Sequence, residues 1–166
     1  MGVIGIDPGT AITGYGIIEE AQDGSLTALA YGVIETPASL EMPARLLILH
    51  QKLTEILLLH RPESGAVEKL FFQRNVRTAL SVGQARGVVL LALEANGIPS
   101  SEYSPLEVKQ AVTGYGAADK RQVQVMVQAL LRLPEIPHPD DAADALAVAI
   151  CHLFNFRYKQ ALEKGG

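Results

Sequence analysis

The first apolar segment of the chain ends in an acid and a turn. Residues 3–7 read VIGID, and the Pro8-Gly9 pair that follows Asp7 is a turn signal. Two more segments with strand character come next, at 13–19 (TGYGIIE) and 25–35 (SLTALAYGVIE). Because successive strands joined by short connections usually pair with each other, this order predicts a three-stranded antiparallel meander.

Helices and strands alternate along the rest of the chain. Leucines at helical spacing predict a long amphipathic helix over 40–60 that stops at Arg61-Pro62. The further predicted elements are a short strand at 65–68, a helix at about 76–95 capped by Asn75, a strand at 98–103, a brief helix ending near Thr113, a helix from Asp119 to before Pro134, and a last helix from about Asp140 toward Tyr158. This order predicts an α/β fold, with a mixed five-stranded sheet and helices on both faces.

Length and composition are those of one globular domain. The 166 residues are 48% hydrophobic and 19% charged, so residues 1–166 are expected to form a single domain with a frayed tail at about 159–166. No apolar stretch reaches the roughly 20 residues of a membrane span, and MGVIGIDPG lacks the basic start of a secretory signal, so we expect a cytoplasmic protein. Cys151, the single cysteine, is expected to be buried in a helix.

The basic residues are concentrated in one stretch, although the formal net charge is -4. From Lys69 to Leu93 the chain has no Asp or Glu, and the stretch carries Lys69, Arg74, Arg77 and Arg86. A local concentration of positive charge matters more than the sum when the partner is a polyanion. The sequence therefore predicts a local basic surface.

Two predicted strands end in an acid. Asp7 closes the first strand, and Glu68 follows the apolar Gly65-Ala66-Val67. An ionised carboxylate at the end of a buried run needs a cation or strong hydrogen bonds nearby. Two other interpretations stay open: Asp7 could form an Asx-turn with Gly9 or Thr10, and Glu68 could pair with Lys69 or Arg74 in solvent.

The last helix begins with a second pair of acids, Asp141 and Asp144, surrounded by alanines. A spacing of three places both on one helix face, and alanines allow another element to approach closely. Acids in a first helical turn are also favoured by the helix dipole alone. Asp140 and Asp144 share a face as well, so the register could shift by one, and His138 just upstream could join the site.

Four converging carboxylates repel one another unless cations neutralise them. Mg²⁺ prefers such oxygen ligands, and two ions can stabilise the attacking and leaving oxygens of a displacement at phosphorus. The hypothesis is a nuclease in which two Mg²⁺ ions, replaceable by Mn²⁺, are held by Asp7, Glu68, Asp141 and Asp144.

Five ordered segments resemble the RuvC family of Holliday-junction resolvases: GIDPGTAITGYGII, AVEKLFFQRN, SVGQARGVVL, EVKQAVTGYGAADKRQVQ and DDAADALAVAI. The resemblance covers residue 3 to about 152. It implies a ribonuclease H-like fold and a homodimer that resolves Holliday junctions in DNA recombination and repair, by paired symmetric nicks that leave 5′-phosphate and 3′-hydroxyl ends. It places Asp7, Glu68, Asp141 and Asp144 on the family's metal-binding carboxylates.

The same resemblance implies contacts to DNA. It places Lys109 and Lys120 close to the scissile strand and Phe71 against a junction base, although these residues could also be solvated lysines and core filler. Arg74, Arg77 and Arg86 are plausible phosphate contacts. The implied partners are four-way junction DNA, a second copy of the chain and the RuvAB branch-migration complex. We expect the dimer to form through the helix at about 76–93, on a face carrying Ala79, Leu80, Gly83, Gly87 and Leu90.

Two other functions compete with this hypothesis. An actin- or sugar-kinase-like ATPase also begins with a strand, an Asp and a Gly, but it needs two lobes, and 166 residues supply one. A catalytically silent junction-binding module would use the basic stretch alone. It predicts salt-dependent binding without a magnesium-dependent product.

Overall fold

The computed structural model describes residues 1–69 and 76–166. Five strands form one sheet in the order β3-β2-β1-β4-β5. Strands β1, β2 and β3 form the predicted antiparallel meander, and β4 and β5 continue the sheet in parallel to β1. The strands are β1 (Gly2–Asp7), β2 (Ile12–Glu20), β3 (Leu26–Glu35), β4 (Ser64–Glu68) and β5 (Ser100–Tyr103). The predicted mixed five-stranded sheet is confirmed.

Helices cover both faces of this sheet, as predicted. The helices are α1 (Met42–His60), α2 (Val76–Ala95), α3 (Pro105–Thr113), α4 (Lys120–Leu131) and α5 (Asp140–Lys164). Adjacent residues of β1 point to opposite faces, because side chains alternate along a strand. Val3 lies in a core formed with α3, α4 and α5, whereas Ile4 lies in a core formed with α1 and α2.

Helix α5 lies unusually close to the sheet. A Cβ atom placed on Gly5 would lie 2.1 Å from the carbonyl oxygen of Ala145, and one on Gly14 would lie 2.0 Å from that of Asp141. No side chain larger than hydrogen fits at either contact. From Ala145 to Cys151 every residue of α5 is buried. The glycines of β1 and β2 therefore set the distance between the sheet and the start of α5.

The C-terminal part of α5 differs from the prediction. The helix runs to Lys164 instead of ending near Tyr158, so most of the tail expected to fray is helical and exposed. Residues 159–164 read KQALEK, which are strong helix formers and extend the helix without packing against the core. Cys151 is buried in α5, as expected. In the described part of the chain, none of the helices has the length and apolar character needed to span a membrane.

Candidate metal centre

Two acids meet where adjacent parallel strands end. Strands β1 and β4 run parallel, with Ile6 opposite Val67. Asp7 and Glu68 are the next residues of these strands, so both lie at the same edge of the sheet. The two carboxyl groups lie close enough for each to shift the pKa of the other. The topology thus brings together two acids that are distant in sequence.

The first two turns of α5 add two more acids. Asp7 pairs with Gly14 across β1 and β2, and the backbone of Asp141 rests against Gly14. Carboxylate oxygens of Asp7, Asp141 and Asp144 lie within 4.8 Å of one another. All three side chains, and that of Glu68, are half-buried. We call Asp7, Glu68, Asp141 and Asp144 the acidic cluster.

The acidic cluster is electrostatically unfavourable when metal-free. Burial raises the pKa of Asp7 to about 8, and the charges of Glu68, Asp144 and Asp141 contribute to the shift. Burial and the charge of Asp144 also raise the pKa of Glu68. The pKa of Asp144 is raised mainly by burial, against the opposing charge of Lys120. Nearby positive charge does not neutralise these carboxyl groups fully.

Two lysines flank the acidic cluster. Lys109 of α3 and Lys120 of α4 line a cavity of about 240 Å³ together with Glu68 and Asp144. The Nζ atom of Lys120 lies 3.8 Å from a carboxylate oxygen of Asp144 and 3.2 Å from one of Asp140. Partial burial opposes the charge of Lys120, but Asp144 and Asp140 outweigh it and raise its pKa. An anionic group entering the cavity meets both lysines.

The structure separates Asp140 from Asp141. Asp140 is exposed, binds Lys120 and accepts a hydrogen bond from Gln124 at 3.1 Å. The hydrogen bond with Lys120 lowers the pKa of Asp140. His138 lies near Asp140 and contributes to the same lowering. Asp141, and not Asp140, therefore faces Asp7, which is the register expected from the spacing of Asp141 and Asp144.

Among the described residues, the contacts near the strand acids differ from the alternative interpretations, and a pairing of Glu68 with Arg74 lies outside those residues. The hydroxyl of Thr13 closes the turn after Asp7, since it accepts from the Gly9 amide at 3.2 Å and donates to the Gly9 carbonyl at 2.6 Å. Lys69 lies 4.0 Å from Glu107 instead of pairing with Glu68. Both strand acids therefore remain available to the acidic cluster.

The residues of the predicted basic stretch differ in how far the structure agrees with the expected DNA contacts. Arg86 forms an ion pair of 2.5 Å with Glu102, and only 18% of its side chain is exposed. That contact joins α2 to β5, so the structure favours a structural role for Arg86 over the expected phosphate contact. Arg77 is exposed, and it interacts with another group of the protein. Phe71 and Arg74 lie outside the described residues.

Two features of this region were not identified from the sequence. One is the close contact of Gly14 with Asp141; the spacing of glycines in TGYG was its only signal. The other is Tyr115, an aromatic side chain 60% exposed on the loop between α3 and α4. It lies in a segment considered only for its lysines.

The donor atoms of the acidic cluster fit hard divalent cations. Carboxylate oxygens are the ligands that Mg²⁺ and Mn²⁺ prefer. Burial, with repulsion between neighbouring carboxylates, raises the pKa of Asp7, Glu68 and Asp144, and a bound cation opposes both effects. A divalent ion supplies that charge and inverts the local electrostatics. The residues present therefore fit a metal centre.

Fold and site together define a class of protein. A mixed sheet in the order β3-β2-β1-β4-β5, with helices on both faces, is the ribonuclease H-like fold. The family described as crossover junction endodeoxyribonuclease RuvC matches residues 3–152. The chain belongs to this RuvC family of endodeoxyribonucleases.

Individual relatives agree with the family match. A crossover junction endodeoxyribonuclease RuvC from Syntrophomonas wolfei is 55% identical over 163 residues, which cover 98% of this chain and 94% of that protein. The structure of Thermus thermophilus RuvC has a TM-score of 0.90 and 39% identity, covering 96% of this chain and 97% of that one. The same protein in complex with a Holliday junction substrate also has a TM-score of 0.90, with 39% identity and 96% of each chain covered.

Proposed function

We propose that this chain, acting as a single domain, resolves Holliday junctions by paired, symmetric nicks that leave 5′-phosphate and 3′-hydroxyl ends. One observation carries the proposal. The acidic cluster, drawn from β1, β4 and α5, lies wholly within the residues that match the endodeoxyribonuclease family. The Thermus thermophilus protein, 39% identical, has been seen with a Holliday junction substrate. Neither the silent binding module nor the ATPase accounts for the acidic cluster.

Asp7, Glu68, Asp141 and Asp144 would hold two Mg²⁺ ions, which Mn²⁺ could replace. Such ions lower the pKa of bound water and withdraw charge from a phosphoryl oxygen. Asp7 and Glu68 are fixed to the sheet, and Asp141 and Asp144 to a helix whose start rests on Gly14. These ligands therefore need little reorganisation, which is what electrostatic preorganisation requires.

Lys109 and Lys120 would bind the scissile strand. Both line the cavity beside Glu68 and Asp144, so a backbone phosphate placed there lies close to two positive charges. These charges offset the negative charge that develops on the phosphoryl oxygens during attack. Lys120 is already oriented by Asp140 and Asp144, which reduces the entropy lost when it binds DNA.

Paired nicks need two sites related by a two-fold axis, so we propose a homodimer. The face of α2 that points away from the sheet supports it. Ala85 and Val89 are buried in the core, and Leu90 of the expected face packs against it. Leu80 of that face is 71% exposed, and Leu91 is 60% exposed. Exposed leucines on one helix can form a self-complementary apolar surface. We also propose, from the family alone, that the RuvAB branch-migration complex is a partner and that the protein acts in the cytoplasm.

A supercoiled plasmid with an extruded cruciform tests cleavage and pairing together. Paired nicks in one encounter make the plasmid linear, whereas single nicks leave open circles. With wild-type protein we expect linear product in Mg²⁺ or Mn²⁺ and none in EDTA. Asp7→Asn should lower the rate by at least about a hundred-fold, because losing a ligand costs more than the 10- to 100-fold loss typical of an outer-shell partner.

Asp23→Asn is the matched control. It makes the same chemical change at an exposed acid between β2 and β3, and it should cleave like wild type. Junction binding by Asp7→Asn should persist in a gel-shift assay, since the basic groups remain. Near-wild-type cleavage by Asp7→Asn would contradict the metal centre. Wild-type protein that binds junctions but yields no metal-dependent product would instead support the silent binding module.

A further inference from the structure

A second cleft lies where the α3–α4 connection meets α4. It has a volume of about 360 Å³. Tyr115 and Arg121 line it, together with Thr113, Ala118, Gln122 and Met126. Arg121 directly follows Lys120, whose Nζ atom lies 3.8 Å from Asp144. The start of α4 contributes to both openings: Lys120 and Val123 line the cavity of the acidic cluster, and Arg121 and Gln122 line the cleft.

The backbone of Tyr115 is fixed to the helix that carries Lys109. The hydroxyl of Thr113 donates to the Lys109 carbonyl at 2.7 Å and accepts from the Tyr115 amide at 3.1 Å. The carbonyl of Tyr115 accepts from the amide of Ala118 at 3.1 Å. The loop also packs tightly, because a Cβ atom on Gly116 would lie 2.7 Å from Leu106. The ring is therefore presented to solvent from an ordered turn.

An exposed aromatic ring beside cations suits a nucleic acid strand. Aromatic side chains bind bases by stacking, and every base offers a π-face. Arg121 can bind a phosphate of the same strand, while Met126 gives the cleft an apolar wall. Together with Lys109 and Lys120, which line the cavity of the acidic cluster, Arg121 gives α3 and the first turn of α4 three positive groups. This charge favours a polyanion over an apolar protein segment as the occupant.

We propose that Tyr115 and Arg121 form a nucleotide subsite that binds the cleaved strand next to the scissile phosphate. Tyr115 stacks on one base, and Arg121 binds a backbone phosphate. The subsite rests on the proposed function, because it needs a DNA strand in the acidic cluster. Its effect is to position the strand, so that the scissile phosphate lies against Asp7 and Asp144. Tyr115 and Arg121 are positioning residues.

An abasic scan tests the subsite. Synthetic four-way junctions carry one abasic nucleotide at each position flanking the cut in turn, and single-turnover cleavage is measured with wild type and with Tyr115→Ala. The cleavage rate of wild type should fall roughly 5- to 150-fold when the abasic nucleotide is at one position, because that factor corresponds to the energy of base–aromatic stacking. Tyr115→Ala should lose a similar factor on the intact junction and show no further loss at that position. Tyr115→Phe should keep the wild-type pattern, because the ring is retained.

Controls separate the subsite from the fold and from the proposed function. Tyr158→Ala removes an aromatic side chain of similar exposure, 65%, from the distal part of α5 and should cleave like wild type. Arg121→Gln should weaken binding to all junctions and lower the salt slope by about one. If wild type cleaves and Tyr115→Ala cleaves at the same rate, the proposed subsite is wrong. It is also wrong if the loss from Tyr115→Ala and the loss from the abasic nucleotide multiply at every position. If wild type does not cleave junctions at all, the proposed function fails first.

Discussion

Two polar clusters join β4 to α5, one at each end of the strand. They differ in whether their polar groups stabilise or destabilise the metal-free fold. At the start of β4, Ser64 meets His152, whose Nε2 and Nδ1 atoms lie 2.9 Å from the hydroxyls of Ser64 and Tyr103. At the end of β4, Glu68 meets Asp144 and the rest of the acidic cluster. The His152 cluster is neutral and fully hydrogen bonded, whereas the acidic cluster accumulates like charges.

The difference indicates what each cluster contributes. His152 is 6% exposed, and each hydroxyl can donate or accept, so either tautomer of the ring is satisfied. Such a network stabilises one arrangement of β4, β5 and α5. The acidic cluster destabilises the metal-free fold. The packing of β4 against α5, between the two ends of β4, holds it in place. The His152 cluster therefore contributes to stability, and the acidic cluster carries the proposed function.

The largest effect is expected where the sheet holds the start of α5. In Gly14→Ala the new methyl group would lie 2.0 Å from the Asp141 carbonyl oxygen, so the backbone of α5 must move. We expect a loss of about 3 kcal/mol in the free energy of unfolding, typical of severe overpacking. Since Asp141 shifts with the helix, cleavage should fall by at least about a hundred-fold. Chemical denaturation and cruciform cleavage measure the two losses.

Gly2→Ala is the matched control for that substitution. Gly2 lies in β1, and its Cβ atom would meet the nearest neighbour at an ordinary 4.0 Å. It should leave both stability and cleavage close to wild type. Wild-type cleavage by Gly14→Ala would mean that the position of Asp141 is not set by the contact with Gly14.

A smaller effect, on stability alone, is expected at the start of β4. His152→Ala leaves the hydroxyls of Ser64 and Tyr103 without their ring partner and opens a cavity in the core. The free energy of unfolding should fall by about 2–3 kcal/mol. Cleavage per folded molecule, measured well below the melting temperature, should stay within a few-fold of wild type, because the acidic cluster keeps its own supports.

Tyr103→Phe calibrates this loss, since it removes one hydrogen bond and keeps the ring volume. It should cost about 1 kcal/mol. A strong loss of cleavage in folded His152→Ala would break the separation between the two clusters. It would show that the His152 cluster orients the carboxylates as well as stabilising the fold.

The sequence analysis named all four residues of the acidic cluster, because the patterns that point to them are local. An apolar run that ends in an acid identifies Asp7 and Glu68, and a spacing of three identifies Asp141 and Asp144. All ten helices and strands of the described residues were anticipated, with small differences at their ends. The parallel pairing of β1 and β4, which the structure shows, then brings the two strand-end acids to one edge of the sheet.

The remaining features depend on distances that no local pattern encodes. Asp140 and Asp141 are equivalent as a sequence pattern, and only the approach of Lys120 from α4 separates them. Arg86 was expected to contact a phosphate. In the structure, it forms an ion pair of 2.5 Å with Glu102 of β5, which the sequence does not indicate. No local pattern indicates the role of His152, because its partners come from two strands far away in sequence.

The smallest expected effects are opposite pH dependences of stability in the two clusters. Burial and the charge of Lys159 lower the pKa of His152, so the unfolded chain binds its proton more readily. This contribution is complete above the unfolded value of about 6.5 and is lost as the pH falls below it. Asp7 behaves in the opposite way in metal-free protein. Its pKa is raised to about 8, so its contribution is complete below about pH 4 and is lost as the pH rises toward 8.

Thermal unfolding in EDTA between pH 4 and 9 separates the two contributions. The melting temperature of Asp7→Asn, relative to wild type, should rise with pH up to about 8 and then level off, because the variant lacks the carboxylate that must ionise. Saturating Mg²⁺ should raise the melting temperature of wild type above pH 7 and that of the variant much less, since bound ligand stabilises only a fold that binds it. A pH-independent difference between the two proteins would mean that the charge of Asp7 is compensated without metal. The charges of the acidic cluster would then be compensated within the protein, as the polar groups of the His152 cluster are. The energetic contrast between the two clusters would disappear.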